Sequence, residues 1–307
     1  MRRLVSLACA ALALAGCGLG AGEELEGGAE LRVTRDFGRE LLAEATEDKV
    51  REDQTVMRFL QSERDVDTRY GGKFVQSIDG LAGSGTVGRS DWFYFVNGIE
   101  ADVGAADFEL SPHDVVQWDH RDWRAAMRVP AIVGAFPEPF LHGYRGRRLP
   151  VRVECEDEDS QACGEVKDRL RDAGVPATGS AIGVAAGSRE ELLRVLVAKW
   201  DRAQDVRAAA TLEDGPGESG VFARFDDEKL ELLDRRGSVA AEAPPGTGLV
   251  AMTGIEDEAL VLVVTGLDDG GVEAAAGALD EETLRDAFAV AVTPEGPAKL
   301  PLTEEQP

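Results

Sequence analysis

The sequence is short of the residues that usually betray a chemistry. Its 307 residues include three histidines, His113, His120 and His142, four cysteines, three tyrosines and a single asparagine, Asn97. No two histidines stand at metal-ligand spacing, so no metal centre is expected. With 58 acidic residues, chance carboxylate pairs are everywhere, and no acid-base couple can be singled out. There is no G-x-S-x-G elbow and no G-K-[ST] loop, which removes the usual serine-hydrolase and P-loop readings. Gly215-Pro216-Gly217-Glu218-Ser219-Gly220 fits G-x-G-x-x-G only by letter. A dinucleotide site needs a buried strand before it and a helix after it, whereas acidic residues precede this segment and a strand pattern follows, so it reads as a turn. Gly246 to Ala251 fails on the same ground. The cluster Asp119-His120-Arg121-Asp122 has no second group of ligands to complete it and reads as a solvated strand end with local ion pairs. No catalytic residue, metal or cofactor is expected, and the chain is not expected to be an enzyme.

Positive charge is scarce as well. Thirty-three basic residues against 58 acidic ones leave a net charge of −25, with the acid spread along the whole chain. Nucleic acid and anionic lipid headgroups both require a cationic face and are excluded as partners. Only six of the basic residues are lysines, a bias of the kind a GC-rich, actinobacterial-type genome imposes and not a mechanism.

Long apolar runs are also missing. The longest, Leu4 to Ala15, follows Arg2-Arg3 and falls short of the ~20 residues that cross a bilayer. It has the form of a secretory signal. Its end, Leu14-Ala15-Gly16-Cys17, resembles the lipobox of bacterial lipoproteins, which implies cleavage after residue 16, lipid on Cys17, and a protein held on the outer face of the cell membrane by that anchor alone. A soluble secreted protein with a cysteine near its cleavage point is the alternative. Of the remaining thiols, Cys9 lies in the discarded segment, leaving Cys155 and Cys163. In an oxidising compartment an even pair this close favours a disulfide. A two-cysteine metal site is the rival, and no histidine lies near enough in sequence to complete it.

What is present divides the chain into a signal (1–16), a small, acidic tether (17–29), a first domain (30–124), a Pro- and Gly-rich bridging segment (125–150), a second domain (151–293) and a polar, Pro-rich tail (294–307) that is expected to be disordered. In the first domain Leu31 to Asp36 alternates as a strand, with Leu41 to Ala45 its hairpin partner. Asp53 is a candidate N-cap for a short helix bearing Val56, Met57 and Leu60. Strands follow at Phe74 to Ile78, Trp92 to Val96 and Val115 to Trp118. Asn97-Gly98 is the pair a type I′ hairpin turn demands, because both central residues need positive φ. In the second domain the pattern predicts a strand at Val151 to Glu154, a helix at Gly164 to Ala173 and a strand at Ala181 to Ala185. Ser188, with Glu191 at the capping-box position, predicts a helix through Trp200. A hairpin around Asp226-Asp227, strands at Gly248 to Thr253 and Leu260 to Thr265, a helix from Asp269 and a last strand at Ala287 to Val292 complete it. The fold class is α+β, a small N-terminal sheet domain followed by an α/β layered domain.

Several first-domain motifs together resemble one family. Tyr70-Gly71-Gly72-Lys73-Phe74-Val75, Ser77-Ile78-Asp79-Gly80, Trp92 to Gly98, Gly104-Ala105 and Asp114 to Trp118 are similar to DUF4430, a family related to the C-terminal domain of transcobalamin and intrinsic factor, with a β-grasp, SLBB-like fold. The glycine usual before the aspartate of the turn is His113 here, which leaves that turn's backbone shape open. The resemblance implies contact with a small molecule, a corrinoid in the cobalamin carriers, although this chain lacks the long helical domain that forms their other side. Trp92 and Tyr94 share a strand face, and with Tyr70, Asn97, Trp118 and Trp123 they form a candidate ligand platform. The alternative is that so small a domain needs these rings for its core. The expectation is therefore a lipid-anchored surface protein that binds a small molecule in the cleft between its domains, in an uptake role that implies a transporter as partner. A structural or protein-interaction lipoprotein of the cell envelope is the alternative.

Overall fold

The computed structural model describes residues 22–226 and 228–303. The signal, Cys17 and the start of the tether therefore lie outside the described residues. The N-terminal unit comprises β1 (Ala29–Arg35), β2 (Glu40–Glu47), α1 (Val56–Glu63), β3 (Val66–Arg69), β4 (Phe74–Ile78), β5 (Leu81–Ala82), the single turn α2 (Gly85–Gly88), β6 (Ser90–Val96), β7 (Ile99–Glu100) and β8 (Val115–Asp122). Its main sheet has the order β2-β1-β8-β6-β7. The first and last strands lie side by side and parallel at its centre, the arrangement of a β-grasp. Asn97 and Gly98 take φ of 53° and 75° between β6 and β7, as the type I′ turn requires. The strands β3, β4 and β5 form a separate small sheet.

Period-two alternation decides which side chains face α1. Leu31, Val33, Trp92, Tyr94, Val116 and Trp118 point to one face and enclose Val56, Phe59 and Leu60 of the helix. The N-cap is Thr55, whose hydroxyl accepts from Arg58 N at 3.3 Å, and not Asp53. Asp53 instead takes φ +60° in the preceding turn, a conformation an N-cap does not adopt.

The opposite face of the same sheet carries Arg32, Thr34, Gln117, Asp119 and Arg121, all buried. It is covered by the C-terminal unit and not by water. Phe37 meets Phe222 and Phe288 edge-on at centroid distances of 4.7 and 5.3 Å, and Phe95 meets Phe288 at 5.4 Å. Gln117 Nε2 donates to Asp286 O at 3.3 Å. At Gly38, φ +75°, a Cβ would come within 1.7 Å of Asp286 O, so only glycine permits the contact. The bridging segment adds Ile132 to this shared core, and Phe136 and Phe140 to the neighbouring one. The two units thus pack through a common apolar interior.

The C-terminal unit runs β9 (Val151–Cys155), α3 (Gln161–Asp172), β10 (Ala177–Ser180), β11 (Leu193–Lys199), the short helices α4 (Trp200–Ala203), α5 (Arg207–Ala210) and α6 (Pro216–Ser219), β12 (Ala223–Asp226), β13 (Lys229–Leu233), β14 (Val239–Glu242), β15 (Gly248–Thr253), β16 (Leu260–Gly266), α7 (Asp269–Gly277), α8 (Glu281–Leu284), β17 (Ala289–Thr293) and β18 (Gly296–Leu300). Seven strands form one mixed sheet, β10-β9-β11-β16-β15-β17-β18, the first four parallel. Helices α3 and α7 pack over one face, and β12 to β14 with the short helices lie over the other.

Three expectations are corrected here. The helix expected from Ser188 to Trp200 is instead β11, in the middle of the sheet. Ser188 N does donate to Glu191 Oε2 at 3.1 Å, but Leu193 to Ala198 are then buried on both faces, the environment of a central parallel strand. The strand expected at Ala181 to Ala185 falls a few residues earlier, at β10, an edge of the sheet. The tail from 294, expected to be disordered, supplies β18, which pairs with β17. Leu300 and Leu302 are buried in the second core, and Pro297 is tolerated because β18 is an edge strand.

Candidate functional site

The aromatic platform does not exist as a surface. Trp92, Tyr94 and Trp118 are 6%, 9% and 3% exposed, beneath α1. Tyr94 stacks on Trp118 at 4.9 Å. Its hydroxyl donates to Val103 O at 2.6 Å, and burial pushes its pKa well up. Trp92 Nε1 donates to Leu81 O at 2.9 Å. Trp123 is half-buried, with Nε1 on Asp91 Oδ2 at 3.1 Å. Asn97 is buried in its turn, where Nδ2 donates to Asp114 Oδ1 and to Gly143 O, both at 2.9 Å, and Oδ1 accepts from Val115 N. Only Tyr70 stands free, 81% exposed, edge-on to Phe74 at 6.3 Å. Trp92 and Tyr94 share a face of β6, as the alternation predicts. That face is the core of a small domain, as the alternative reading held.

The Asp119-His120-Arg121 cluster is divided by the same alternation. His120 turns toward Trp92, with ring centroids 5.2 Å apart. Asp119 turns the other way and accepts from Thr34 Oγ1 at 2.7 Å, Phe37 N at 3.1 Å and Gly38 N at 2.9 Å. Arg121 lies over the Phe93 ring at 3.9 Å and donates to Ala126 O at 2.6 Å. The cluster is therefore neither a solvated strand end nor a ligand set. Cys155 and Cys163 form the expected disulfide, which ties the end of β9 to the first turn of α3 with a Cα separation of 5.9 Å.

The residues that do converge come from the turn before β8, the start of β1 and the bridging segment. They line a cleft of about 320 Å³ at the junction of the two units. His113 takes φ +70° in the turn, the left-handed conformation that favours glycine. Its ring stacks on His142, centroids 4.4 Å apart and planes 15° apart. The buried carboxylate of Glu138 hydrogen-bonds His142 Nδ1 through Oε1 and accepts from His142 N through Oε2 at 2.9 Å. Asp114 is 2% exposed. Burial pushes its pKa up to about 7, against hydrogen bonds from Ser111 N and Asn97 and with Glu138 adding to the rise. Arg32 donates to Glu30 at 3.0 Å and Gly134 O at 3.2 Å and pairs with Asp286 at 3.5 Å. Ala29, Val115, Phe136 and Pro137 supply the apolar wall.

Sequence reasoning missed His113, Glu138 and His142. The one local signal was the four-residue spacing of Glu138 and His142, which carries weight in a helix but not in a Pro-rich loop.

Two other hollows carry less. An open groove of about 1020 Å³ is larger, yet Trp200 at its base is covered by Phe225 at 4.0 Å, while Arg224 and Lys229 are paired with Glu231 and Glu242. The crevice at the carboxyl ends of β9 and β11, the usual ligand position in such sheets, holds Lys199 paired with Asp269 at 3.4 Å and Glu156 at 3.9 Å. The junction cleft alone among the three joins buried titratable groups to an apolar wall.

Residues 53–121 match the family model described as "Domain of unknown function (DUF4430)". No curated protein matches the chain. Among solved structures it is similar to one described as a "putative metal binding protein from Ruminococcus gnavus ATCC 29149", at 15% identity, covering 32% of this chain and 98% of that one, with a TM-score of 0.26. Among the described residues, no group of three or more His, Cys, Asp or Glu could hold a metal ion. No described helix is long and apolar enough to cross a membrane.

Proposed function

We propose that this chain, whose residues 53–121 match the DUF4430 family model, is a lipid-anchored cell-surface protein that binds a small molecule in the junction cleft and does not turn it over. The observation that carries the reading is the stacked pair His113 and His142, held by buried Glu138 at the mouth of a cavity walled by both units. Buried, oriented polar groups beside an apolar wall are the ingredients of ligand selection. A corrinoid is not supported: the ring faces meant to receive it are enclosed, and about 320 Å³ is at the lower end of what holds a drug-sized ligand.

Thermal unfolding of the full chain against a small-fragment collection tests this reading. A fragment that raises the midpoint for the wild type and not for His142→Ala supports it, and a collection with no such fragment counts against it. Anchoring, and with it the uptake role, rests on the Leu14-Ala15-Gly16-Cys17 motif. Cys17→Ser should abolish incorporation of labelled fatty acid and move the protein from the membrane to the soluble fraction.

A second reading, a protein-interaction lipoprotein of the cell envelope, is favoured by one observation, the exposed pair Tyr70 and Phe74 at the tip of β3 and β4. Apolar rings at a loop tip suit a protein partner. Loss of an envelope partner on Tyr70→Ser would support it.

A further inference from the structure

We infer that the junction cleft selects a small organic cation, a primary ammonium carried on a short aliphatic chain. This deepens the small-molecule reading above and rests on it.

The first argument is charge. Glu30, Asp114, Glu138 and Glu281 contribute carboxylates to the lining, and Arg32 is its single cationic side chain. The Arg32 guanidinium is already engaged by Glu30, Asp286 and the Gly134 carbonyl, so little of its charge is left for a ligand. Glu30 is paired with Arg32 and Glu281 with Arg285, but Asp114 and Glu138 are held by hydrogen bonds from Asn97, Ser111 and His142. An anion entering the cleft would therefore meet those two carboxylates at close range, where the interaction is weakly screened. The whole chain, at −25, repels anions and draws cations toward the same place.

The second argument is the direction of the polar groups. Both Glu138 oxygens are taken by His142, one by the ring Nδ1 and one by the backbone N. In the neutral ring this contact selects the Nδ1–H tautomer, which leaves a lone pair on Nε2. His142, 31% exposed, thus presents an acceptor, and an ammonium is a donor with three N–H groups. The parallel face of His113 at 4.4 Å holds the ring plane. Across the cleft Ala29, Val115, Phe136 and Pro137 offer a hydrocarbon surface but no further donors, which suits an alkyl chain. With about 320 Å³ available, the chain must be short.

The test is calorimetric titration of the full chain at pH 8 with three probes of equal length: n-butylammonium, butyrate and 1-butanol. Binding of butylammonium alone is expected. Glu138→Gln, which keeps the shape and removes the charge, should weaken it about tenfold, through the lost attraction between the carboxylate and the ammonium and the lost hold on the His142 ring. Because Glu138 is buried, Glu281→Gln at the exposed rim serves as the second variant and should weaken binding by about two- to threefold without disturbing the fold. If butyrate or butanol binds as well as butylammonium and Glu138→Gln weakens it, the cleft remains the ligand site and the cationic class is overturned. If butylammonium binds equally to wild type and both variants, the ligand lies outside the cleft and the inference fails; if none of the three probes binds, the cationic inference fails while the cleft reading is decided by the fragment titration.

Discussion

His142 points its Nδ1 at the buried carboxylate of Glu138, four residues earlier in a loop rich in proline, while its ring lies flat against His113 from a turn 29 residues upstream. Two of the three histidines in the chain thus meet at the junction of its two units, with Glu138 fixing the geometry. The small-molecule site proposed for the protein depends on this meeting.

Removing the imidazole should be felt in stability as well as binding. His142→Ala leaves the Glu138 carboxylate, 6% exposed, with the backbone N of residue 142 as its remaining partner. A buried charged acceptor losing a partner costs about 1–3 kcal/mol, so urea unfolding of the variant should show a lower midpoint at unchanged slope. An unchanged midpoint would mean that the pair contributes nothing to the fold.

Asp114 gives the protein a pH dependence of definite sign. Its folded pKa, about 7, lies above the ordinary 3.8 because burial opposes its charge. The folded state therefore holds a proton that the unfolded chain releases, and the stability from this group is fully present below about pH 4 and lost as pH rises through about 7. Over that window the loss amounts to at most about 4 kcal/mol. Asp114→Asn should flatten that part of the curve, measured as the difference between wild-type and variant unfolding free energies at pH 5 and pH 8. Equal differences at the two pH values would contradict the assignment.

Arg121 and Trp92 should behave very differently although both are buried. Arg121→Leu leaves the Ala126 and Met127 carbonyls without their donor and Glu100 with Arg128 as its remaining cation, and breaking a buried pair costs up to about 3–5 kcal/mol. Trp92→Phe keeps a ring in the core and loses one hydrogen bond to Leu81 O, at about 1–2 kcal/mol. Thermal unfolding midpoints of the two variants should therefore be clearly separated, with Arg121→Leu the lower.

The disulfide should support the fold without serving the site. Replacing Cys155 and Cys163 together by alanine opens a ring of short span and should cost about 2 kcal/mol. Affinity at the junction cleft, which neither residue lines, should be unchanged by calorimetry.

The parts of the fold legible in the sequence are those set by local chemistry. Asn97-Gly98 specified its hairpin because few other pairs accept two consecutive positive φ angles, and the alternation of Trp92 and Tyr94 gave their shared face. What alternation could not give was the occupant of that face, since both sides of the sheet are covered, one by α1 and the other by Phe222, Phe288 and their neighbours. At β11 a local signal misled. Ser188 and Glu191 do form the hydrogen bond of a helix start, but the run Leu193 to Ala198 is claimed by β9 and β16 on either side, and tertiary pairing overrides propensity. The tail misled for a similar reason: its polar composition hides Leu300 and Leu302, which find the second core. The candidate site was the least legible part. Its residues come from β1, the turn before β8 and the bridging loop, and no spacing within any one of these announces the others.

The most direct measurement is an NMR titration of the full chain with n-butylammonium, following the histidine ring protons and the tryptophan indole N–H signals together. The account expects His113 and His142 to shift with a common binding curve while the indole signals of Trp92 and Trp118 stay fixed. Shifts at Trp92 and Trp118 with His113 and His142 unmoved would place the ligand elsewhere and contradict it.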